Sequence, residues 1–523
     1  MEQQQRMRKA QLKFKLRGLT LSVDALKAVL GFLDEQYLPD EEALQHLLAE
    51  VDKISLKSNV LSKEAALELI SAATGVTSSQ QNALLVVDAF KLPRFCYDPI
   101  RKMFYRYNKT PSVHGDARSK SALYKDRLQL LHQRLIRDRH FAKPAFDMDG
   151  SRSGTCELSS LQSLLGCIGR RWVMGIVSQL EDGRYYLEDL SATIPIDLSQ
   201  AISFGKISNG ELHNCCGRIA ASKRHFSGSF LISTCGFPPL EGRNISLSVT
   251  AGLDFFGAGA LSYDEISRLE VLERKAVNDM FVVISDVWLD DEQTMRNLEV
   301  VLDGFENVDV VPSVFILMGN FLSRPCNLSF HSFGELRSHF DKLGTLIASH
   351  TRISSTSKFV LIPGPEDPGP SSVLPRPALP SYFTKELAKH VPNVTFASNP
   401  CRIRFFSQEI VLFRENLLYR MRRLCIVTPS DEETTEPFEH LVATITHQSH
   451  LCPLPLTSQP IVWEYDHAMR LYPTPHTIVL GDRTEQKLFK YMGVTAFSPG
   501  SFSVDGTFAA YRPATQEVEL SSL

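Results

Sequence analysis

The sequence has no CxxC motif, although 10 cysteines are dispersed over its 523 residues. Zinc ribbons and redox dithiols need cysteine pairs at short spacing, and disulfide-stapled domains need a much denser set. The chain also lacks any apolar run near the roughly 20 residues that a membrane-spanning helix requires, and no secretory signal follows its start. We therefore expect an intracellular protein of a reducing compartment, with no disulfide framework and no membrane contact.

A strong charge of either sign is absent as well. The 56 basic and 59 acidic side chains give a net charge of −3, so no global field draws the chain to nucleic acid. What is present is an ordinary globular composition, with 43% hydrophobic and 22% charged residues. Because domains usually hold about 100 to 200 residues, this length predicts a multi-domain protein, here of the α+β class.

Helix-type periodicity dominates residues 1–91. Ser22 is placed to cap one amphipathic helix, and the last of four or five short helices is predicted to run through Leu84, Leu85 and Phe90. The pattern indicates a helical bundle without a nucleotide-binding loop or a Cys/His cluster. Its simplest role is to dock another protein.

Three further regions follow. Residues 92–117 predict a β-hairpin, with its turn at Asp98-Pro99, and a polar linker. Residues 118–248 begin with a basic amphipathic helix, whose charges we expect to be solvated, and continue with short strands typical of an OB-type β-barrel. Residues 249–523 alternate strands and helices, which predicts an α/β domain of layered sheets flanked by helices.

The barrel raises the question of nucleic-acid binding. Its aromatic residues Trp172 and Tyr185 lie near the basic residues Arg184 and Arg224, and stacking beside cations is how single strands are bound. Acidic residues such as Glu181 share the same hairpin and would repel phosphates. A barrel that is structural or contacts protein is therefore favoured, and binding of a single strand is the alternative.

The strands of the last region each end in a polar tip. Because the carboxyl ends of parallel strands meet at one edge of a sheet, we expect these tips to form a single cleft. The tips are FVVISD ending at Asp286, SVFILMGN ending at Asn320, KFVLIPGPED ending at Pro365, Glu366 and Asp367, and HTIVLGD ending at Asp482.

The order of these tips resembles the calcineurin-like metallophosphoesterases, whose motifs are DxH, GDxxD, GNHD or GNHE, a lone His, and GHxH. Two cations about 3.5 to 4 Å apart need several carboxylate, amide and imidazole ligands. Trp288 stands where the first His would be, and it has no metal-binding atom. The corresponding positions are Asp286 and Trp288; Asn320 and Ser323; Pro365, Glu366 and Asp367; His447 or His450; and Asp482.

Most of the ligands that such a centre needs are therefore missing. Asn320 lacks the bridging charge and Pro365 lacks a donor atom, so we expect no metal, no cofactor and no catalytic residue. A large aromatic at Trp288 would fill the space of the metal and its His. The alternative function is a divergent metal-dependent phosphodiesterase or exonuclease.

An OB-type barrel before a disarmed phosphoesterase domain resembles the B-subunit family of replicative DNA polymerases, and the closest resemblance is to the DNA polymerase epsilon branch. The resemblance covers nearly the whole chain and is carried by several long motifs. These motifs are KLRGL at 15–19, PRFCY at 93–97, LHQR at 131–134, SDVWLD at 285–290, GPEDPG at 364–369, LPRP at 374–377, NPCRI at 399–403, HLCPLPL at 450–456 and PGSF at 499–502.

This resemblance implies a non-catalytic accessory subunit in the nucleus. Its barrel and phosphoesterase-like domains would bind the zinc-bearing C-terminal region of the polymerase epsilon catalytic subunit. Its N-terminal domain, which in the family resembles the lid of AAA+ ATPases, would link the polymerase to the replicative helicase through the GINS complex. The small histone-fold subunits would be further partners, and contact with DNA would be indirect.

Overall fold

The protein is represented by a computed structural model. It describes scattered residues between 9 and 61, and then residues 83–141, 157–164, 170–181, 183–204, 219–221, 229–250, 252–326, 330–370, 372–426 and 434–523. The chain divides into two compact units, residues 1–85 and 86–523. The division into four domains stays a prediction, and most of the expected helical bundle lies outside the described residues.

In the first unit, strand β1 (Thr20–Leu21) pairs in parallel with β2 (Val60–Leu61). The hydroxyl of Ser22 accepts the backbone N–H of Ala25 at 3.2 Å, as an N-cap residue does. The prediction that the last helix runs through Leu84 and Leu85 is wrong, because Leu84–Asp88 forms strand β3. A short apolar run does not distinguish helix from strand, and two adjacent valines favour the strand.

The predicted hairpin and leading helix are both present. Strands β4 (Phe95–Asp98) and β5 (Met103–Arg106) pair antiparallel. Helix α1 (Ala117–Leu135) starts at Asp116, whose carboxylate accepts the N–H of Ser119 at 2.8 Å.

The barrel region contains more strands than its sequence suggests. Two four-stranded sheets have the orders β10-β13-β11-β6 and β12-β9-β8-β7. The side chains of Val173, Leu187 and Ile232 are fully buried between them. The strands are β6 (Trp172–Met174), β7 (Ile176–Glu181), β8 (Arg184–Glu188), β9 (Thr193–Asp197), β10 (Ile202–Phe204), β11 (Ile219–Ala221), β12 (Phe230–Leu231) and β13 (Thr234–Gly236).

Two six-stranded sheets form the α/β region. Their orders are β17-β16-β15-β14-β23-β24 and β21-β22-β20-β19-β18-β3. Strands β14 to β17 are parallel in the first sheet, as are β19, β20 and β22 in the second. The strands are β14 (Phe281–Ser285), β15 (Val314–Met318), β16 (Lys358–Ile362), β17 (Val394–Phe396), β18 (Cys401–Phe405), β19 (Gln408–Arg414), β20 (Thr477–Gly481), β21 (Lys487–Tyr491), β22 (Val494–Ser498), β23 (Thr507–Arg512) and β24 (Glu517–Ser522).

Helices accompany these sheets, and the longest are α4 and α5. Apolar residues of α4, such as Leu298 and Leu302, are buried in one core with Leu336 and Phe340 of α5. No helix in the described part of the chain is long and apolar enough to cross a membrane. The helices are α2 (Arg243–Val249), α3 (Tyr263–Lys275), α4 (Glu292–Glu306), α5 (Phe330–Ser349), α6 (Thr351–Thr356), α7 (Ser381–His390), α8 (Leu418–Arg423), α9 (Pro437–His447) and α10 (Phe502–Asp505).

We expected the basic side chains of α1 to be solvated, but two of its arginines are bonded to other parts of the protein. Arg127 bonds Asp466, with Nε 3.1 Å from Oδ2. Arg134 is buried and donates to the carbonyl oxygen of Pro239 at 2.8 Å and to the hydroxyl of Ser449. The helix therefore uses its guanidinium groups to join the barrel region to the phosphoesterase-like region.

Aromatic rings hold the two large sheets together. Phe281 in β14 is fully buried, and its ring centroid lies 5.1 Å from that of Phe405 and 6.4 Å from that of Tyr511. Since Phe405 belongs to the other sheet, Phe281 bridges the two layers at the start of β14, the end of the strand opposite to the tip that carries Asp286.

We predict that Phe281→Ala lowers the free energy of unfolding of the larger unit by about 3 to 5 kcal/mol, because it leaves a cavity between the sheets. Urea unfolding followed by tryptophan fluorescence measures this change. Val300→Ala is the control, since Val300 is 57% exposed on α4, and it should change stability by less than about 0.5 kcal/mol. Equal effects of the two substitutions would contradict the proposed bridging role.

Candidate functional site

The candidate site is the cleft formed by the strand tips, and Asp286 lies at its centre. Asp286 follows β14 and is fully buried, with a backbone φ of 57°. Aspartate and asparagine are among the few non-glycine residues that adopt this left-handed conformation readily. The turn directs the carboxylate into the protein, whereas a metal ligand in such a cleft would face an ion that solvent can reach.

Both oxygens of the Asp286 carboxylate are already bonded. Oδ1 lies 2.6 Å from Nη2 of Arg414 and accepts the backbone N–H of Asn320 at 3.2 Å. Oδ2 accepts from the hydroxyl of Ser501 at 3.2 Å and from Nε of Arg483 at 3.3 Å. Two guanidinium groups thus supply the positive charge that cations would supply in a metallophosphoesterase.

Arg414, the last residue of β19, is completely buried. Its guanidinium also donates to the carbonyl oxygens of Gly319 and Gly481, the latter at 2.8 Å. Gly319 follows β15 of the first sheet, and Gly481 ends β20 of the second. One side chain therefore fastens strand tips from both sheets. A Cβ atom at Gly481 would lie 2.8 Å from Cδ of Arg414, so glycine is required there.

Asn320 and Glu366 form a second pair in the cleft. Nδ2 of Asn320 donates to Oε2 of Glu366 at 2.8 Å, and the backbone N–H of Glu366 donates to Oδ1 of Asn320 at 3.0 Å. Arg483 closes the group, since its Nη2 lies 3.2 Å from Oε2 of Glu366 and its guanidinium lies 5.8 Å from the ring centroid of Trp288. Trp288 is partly buried, and the guanidinium of Arg483 lies over the face of its ring in a cation–π contact.

Asp367 has a structural position beneath the cleft. Its carboxylate accepts the backbone N–H groups of Phe321 at 2.8 Å and Gly364 at 2.7 Å. Burial raises the pKa of Asp367 to about 6, despite these two bonds. A Cβ atom at Gly319 would lie 1.9 Å from its Oδ2, so the chain approaches the carboxylate too closely for any side chain.

Three other predicted positions have partners of their own. His450 contacts Asp466 at 3.2 Å through Nε2 and accepts the N–H of Cys452 through Nδ1. Oδ2 of Asp482 accepts the N–H groups of Leu417 and Leu418, both at 2.8 Å. Ser323 bonds Asp290 through its N–H at 2.8 Å and its hydroxyl at 2.7 Å. Pro365 is partly buried and carries no donor atom.

These residues do not fit a dinuclear metal centre. The central carboxylate is saturated by arginine, serine and a backbone amide, and His450 is committed to Asp466 and Cys452. Within the described residues, no group of three or more His, Cys, Asp or Glu side chains is arranged to hold a metal ion. We therefore derive no catalytic step from this cleft.

Sequence reasoning missed Arg414 as a member of the site, although it appeared as the last letter of the strand EIVLFR. The available signal was an arginine at the end of an otherwise apolar strand, where a charge is either solvated or paired with a buried acid. The distance along the chain between Arg414 and Asp286, 128 residues, concealed which of these applied.

The residues that suggested nucleic-acid binding on the barrel are engaged in packing. Trp172 stacks edge-on against Phe141 with centroids 6.0 Å apart, and Tyr185 packs against the barrel core. Arg184 is exposed and pairs with Glu181 at 2.9 Å. Arg224 lies outside the described residues. Trp172 and Tyr185 therefore contribute to packing, and Arg184 has an acidic partner.

The described chain has an OB-type barrel followed by a two-sheet α/β region, the arrangement expected from its resemblance to the B subunits of replicative DNA polymerases. The family model for the B subunits of DNA polymerases alpha and epsilon matches residues 281–490. The model for the OB-fold domain of proteins like DNA polymerase epsilon subunit 2 matches residues 117–239. Both matches coincide with the regions just described.

Relatives extend this similarity over the whole chain. The B subunit of DNA polymerase epsilon from Arabidopsis thaliana is 53% identical over 99% of this chain and 99% of its own. The human DNA polymerase epsilon subunit 2 is 34% identical over 98% of this chain and 97% of its own. The chain therefore belongs to the family of DNA polymerase epsilon B subunits, accessory subunits of the replicative polymerase.

Among solved structures, an archaeal phosphodiesterase matches 47% of this chain and 99% of its own at 10% identity. The TM-score is 0.25, which is too low to support any inference.

We predict that Arg414→Met costs about 3 to 5 kcal/mol in the free energy of unfolding, because it leaves the Asp286 charge buried without its main partner. Combining it with Asp286→Asn should cost clearly less than the sum of the two single changes, since asparagine removes that charge and tolerates the left-handed backbone. A double-mutant cycle from urea unfolding measures the coupling.

Arg296→Met is the matched control, because Arg296 forms an exposed 3.4 Å ion pair with Glu292. It should change stability by less than about 0.5 kcal/mol. Strict additivity of Arg414→Met and Asp286→Asn would show that the two groups do not depend on each other.

A second prediction concerns acid stability. Burial lowers the pKa of His447, His450 and His467 to about 4 and that of His476 to about 3. Unfolded histidine titrates near 6.5, so the stability from these neutral imidazoles is complete above about pH 6.5 and is lost as pH falls toward 4. Asp367 acts in the opposite direction, because its raised pKa makes stability fall as pH rises from about 4 to about 6.

The loss of stability from the four imidazoles on acidification exceeds the gain from the one carboxyl group. The urea midpoint should therefore fall steadily between pH 7 and pH 5. His476→Asn keeps an acceptor for the N–H of Glu409, which His476 now binds through Nδ1 at 3.0 Å. It should reduce the pH slope of the unfolding free energy by up to about 1.4 kcal/mol per pH unit. His114→Asn, at an exposed position, should leave the slope unchanged. A stability independent of pH over this range would refute the assignment.

Proposed function

We propose that this protein is a non-catalytic scaffold of DNA polymerase epsilon in the nucleus. Its barrel and phosphoesterase-like regions bind the zinc-bearing C-terminal region of the catalytic subunit. Its N-terminal unit links the polymerase to the replicative helicase through the GINS complex, and the small histone-fold subunits complete the assembly.

The observation that carries the non-catalytic part is the pairing of Asp286 with Arg414. A carboxylate that must bind a cation or activate water needs at least one oxygen open to it. Here the two oxygens are held by two arginines, a serine and a backbone amide. The side chains of such a cleft pack the two sheets together, and the bonds of Arg414 hold the strand tips in one position.

The rigidity of the larger unit supports the scaffold part of the proposal. The guanidinium groups of α1 tie the barrel region to the phosphoesterase-like region through Asp466, Ser449 and the carbonyl oxygen of Pro239. A surface that spans two regions binds a partner more tightly when the relative orientation of the regions is already fixed. Otherwise the conformational entropy lost in fixing it on binding would weaken the affinity.

The experiment compares the full chain with a chain that starts at residue 83, both used as bait in nuclear extract. Starting at residue 83 retains β3, which neighbours β18 in the second large sheet. We expect the shortened chain to lose the helicase-side partners and to retain the catalytic subunit of polymerase epsilon. Quantitative immunoblotting of the catalytic subunit and of a GINS component gives the two readouts.

A thermal unfolding curve of the shortened chain, matched to the larger-unit transition of the full chain, controls for misfolding. Loss of the catalytic subunit together with the helicase-side partners would contradict the division of roles. Hydrolysis of a generic phosphodiester in manganese, abolished by Asp286→Ala, would instead establish the divergent phosphodiesterase or exonuclease as the function.

A further inference from the structure

The hairpin of β4 and β5 carries a basic surface that is not part of the cleft around Asp286. We call it the hairpin surface, and it consists of Arg101, Lys102, Tyr105, Arg106 and Lys109. All five residues are exposed, and Arg101 is 78% exposed. Four positive charges and one aromatic ring are therefore presented within nine residues of a chain whose net charge is only −3.

Few acidic groups lie near these charges, although Glu464 interacts electrostatically with Lys109. Asp98 is the one acidic residue between positions 95 and 109, and its carboxylate accepts the N–H groups of Ile100 at 2.9 Å and Arg101 at 3.2 Å. Its ion pair with Arg101 is long, at 3.9 Å. Within the part of the chain that the structure describes, Lys102 and Arg106 form no ion pair. The hairpin surface is thus a concentrated source of positive potential.

The base of the hairpin is rigidly held. Phe95, Tyr97 and Phe104 are buried in one cluster with Leu130 of α1 and Tyr472. Arg94 pairs with Asp126 of α1 at 2.8 Å, which fixes the first strand against the helix. The exposed charges are therefore mounted on an ordered support, so little conformational entropy is lost when a ligand binds.

Tyr105 indicates which polyanion the surface accepts. Tyr105 is 49% exposed and lies on the strand face opposite to buried Phe104, whereas the alternation of the strand turns exposed Arg106 to the other face. Arg101 and Lys102 of the turn precede the ring along the chain, and Lys109 follows it. Cations that flank an exposed ring bind single-stranded nucleic acid, with the cations on phosphates and the ring against a base. An acidic polypeptide would use the charges and leave the ring without a specific role.

We propose that the hairpin surface binds single-stranded nucleic acid, with Arg101, Lys102, Arg106 and Lys109 contacting phosphates and Tyr105 stacking on a base. This site is separate from the barrel, where Trp172 and Tyr185 are packed. It goes beyond the scaffold function and does not depend on it.

The test measures the anisotropy of a labelled 30-residue oligothymidine titrated with the full-length protein at 50 and 200 mM NaCl. Four phosphate contacts on a single strand predict that affinity falls about 50-fold between these concentrations. The variant Arg101→Gln, Lys102→Asn, Arg106→Gln and Lys109→Gln should bind at least about tenfold more weakly at 50 mM and lose most of the salt dependence. Asparagine is chosen at Lys102 because φ there is 55°.

The matched control removes four exposed charges elsewhere: Arg274→Gln, Arg296→Gln, Lys342→Gln and Lys385→Gln. It should bind within about twofold of the unchanged protein. Tyr105→Ala tests stacking, and it should weaken binding of the single strand about tenfold while changing duplex binding little.

Three outcomes would overturn the proposal. The first is equal binding by the hairpin and control variants. The second is binding of a poly-glutamate peptide as tight as that of the oligonucleotide and unaffected by Tyr105→Ala, which would assign the surface to acidic polypeptides. The third is unchanged oligonucleotide binding by the hairpin variant with loss of the polymerase catalytic subunit in a pull-down, which would make the hairpin a protein-docking surface.

Discussion

The ion pair between Asp286 and Arg414 is the constraint on which the phosphoesterase-like region depends. A buried carboxylate is tolerated only with a partner of opposite charge and enough hydrogen bonds to replace water. Arg414 provides the charge, and its remaining N–H groups reach the carbonyl oxygens of Gly319 and Gly481. Gly481 leaves room for the side chain of Arg414, since a Cβ there would lie 2.8 Å from Cδ of Arg414. One planar guanidinium thus holds strand tips of two sheets close together.

A similar use of arginine joins the regions of the larger unit. Arg127 and Arg134 project from α1 to Asp466, Ser449 and a backbone carbonyl. Burial first disfavours the charged form of Asp466, but Arg127 and His450 overcome this and hold its pKa below the usual range. The same carboxylate therefore restrains His450, whose Nε2 lies 3.2 Å from Oδ1 of Asp466. These charges thus serve cohesion between the regions.

The sequence predicted the strands of the α/β region, because their short apolar runs are rich in β-branched and aromatic residues and end in polar turns. It predicted layered sheets but not which strands belong to each sheet, since strand neighbours depend on pairings far apart in sequence. The run at Leu84–Asp88 was assigned to a helix because its length is compatible with either structure. The structure brings Asp286, Asn320 and Glu366 together through hydrogen bonds, whereas Arg414 could be recognised only from its contact across 128 residues.

Replacing metal ions by arginine also changes what the protein needs in order to fold. In a metalloprotein the binding free energy of the ion is part of the folding free energy, so the apo form is weakened and chelators destabilise it. A guanidinium is synthesised with the chain, stays charged at any cellular pH and cannot dissociate. The cross-link between the sheets through Arg414 is therefore complete as soon as the strands assemble, and it takes no binding free energy from a dissociable ion.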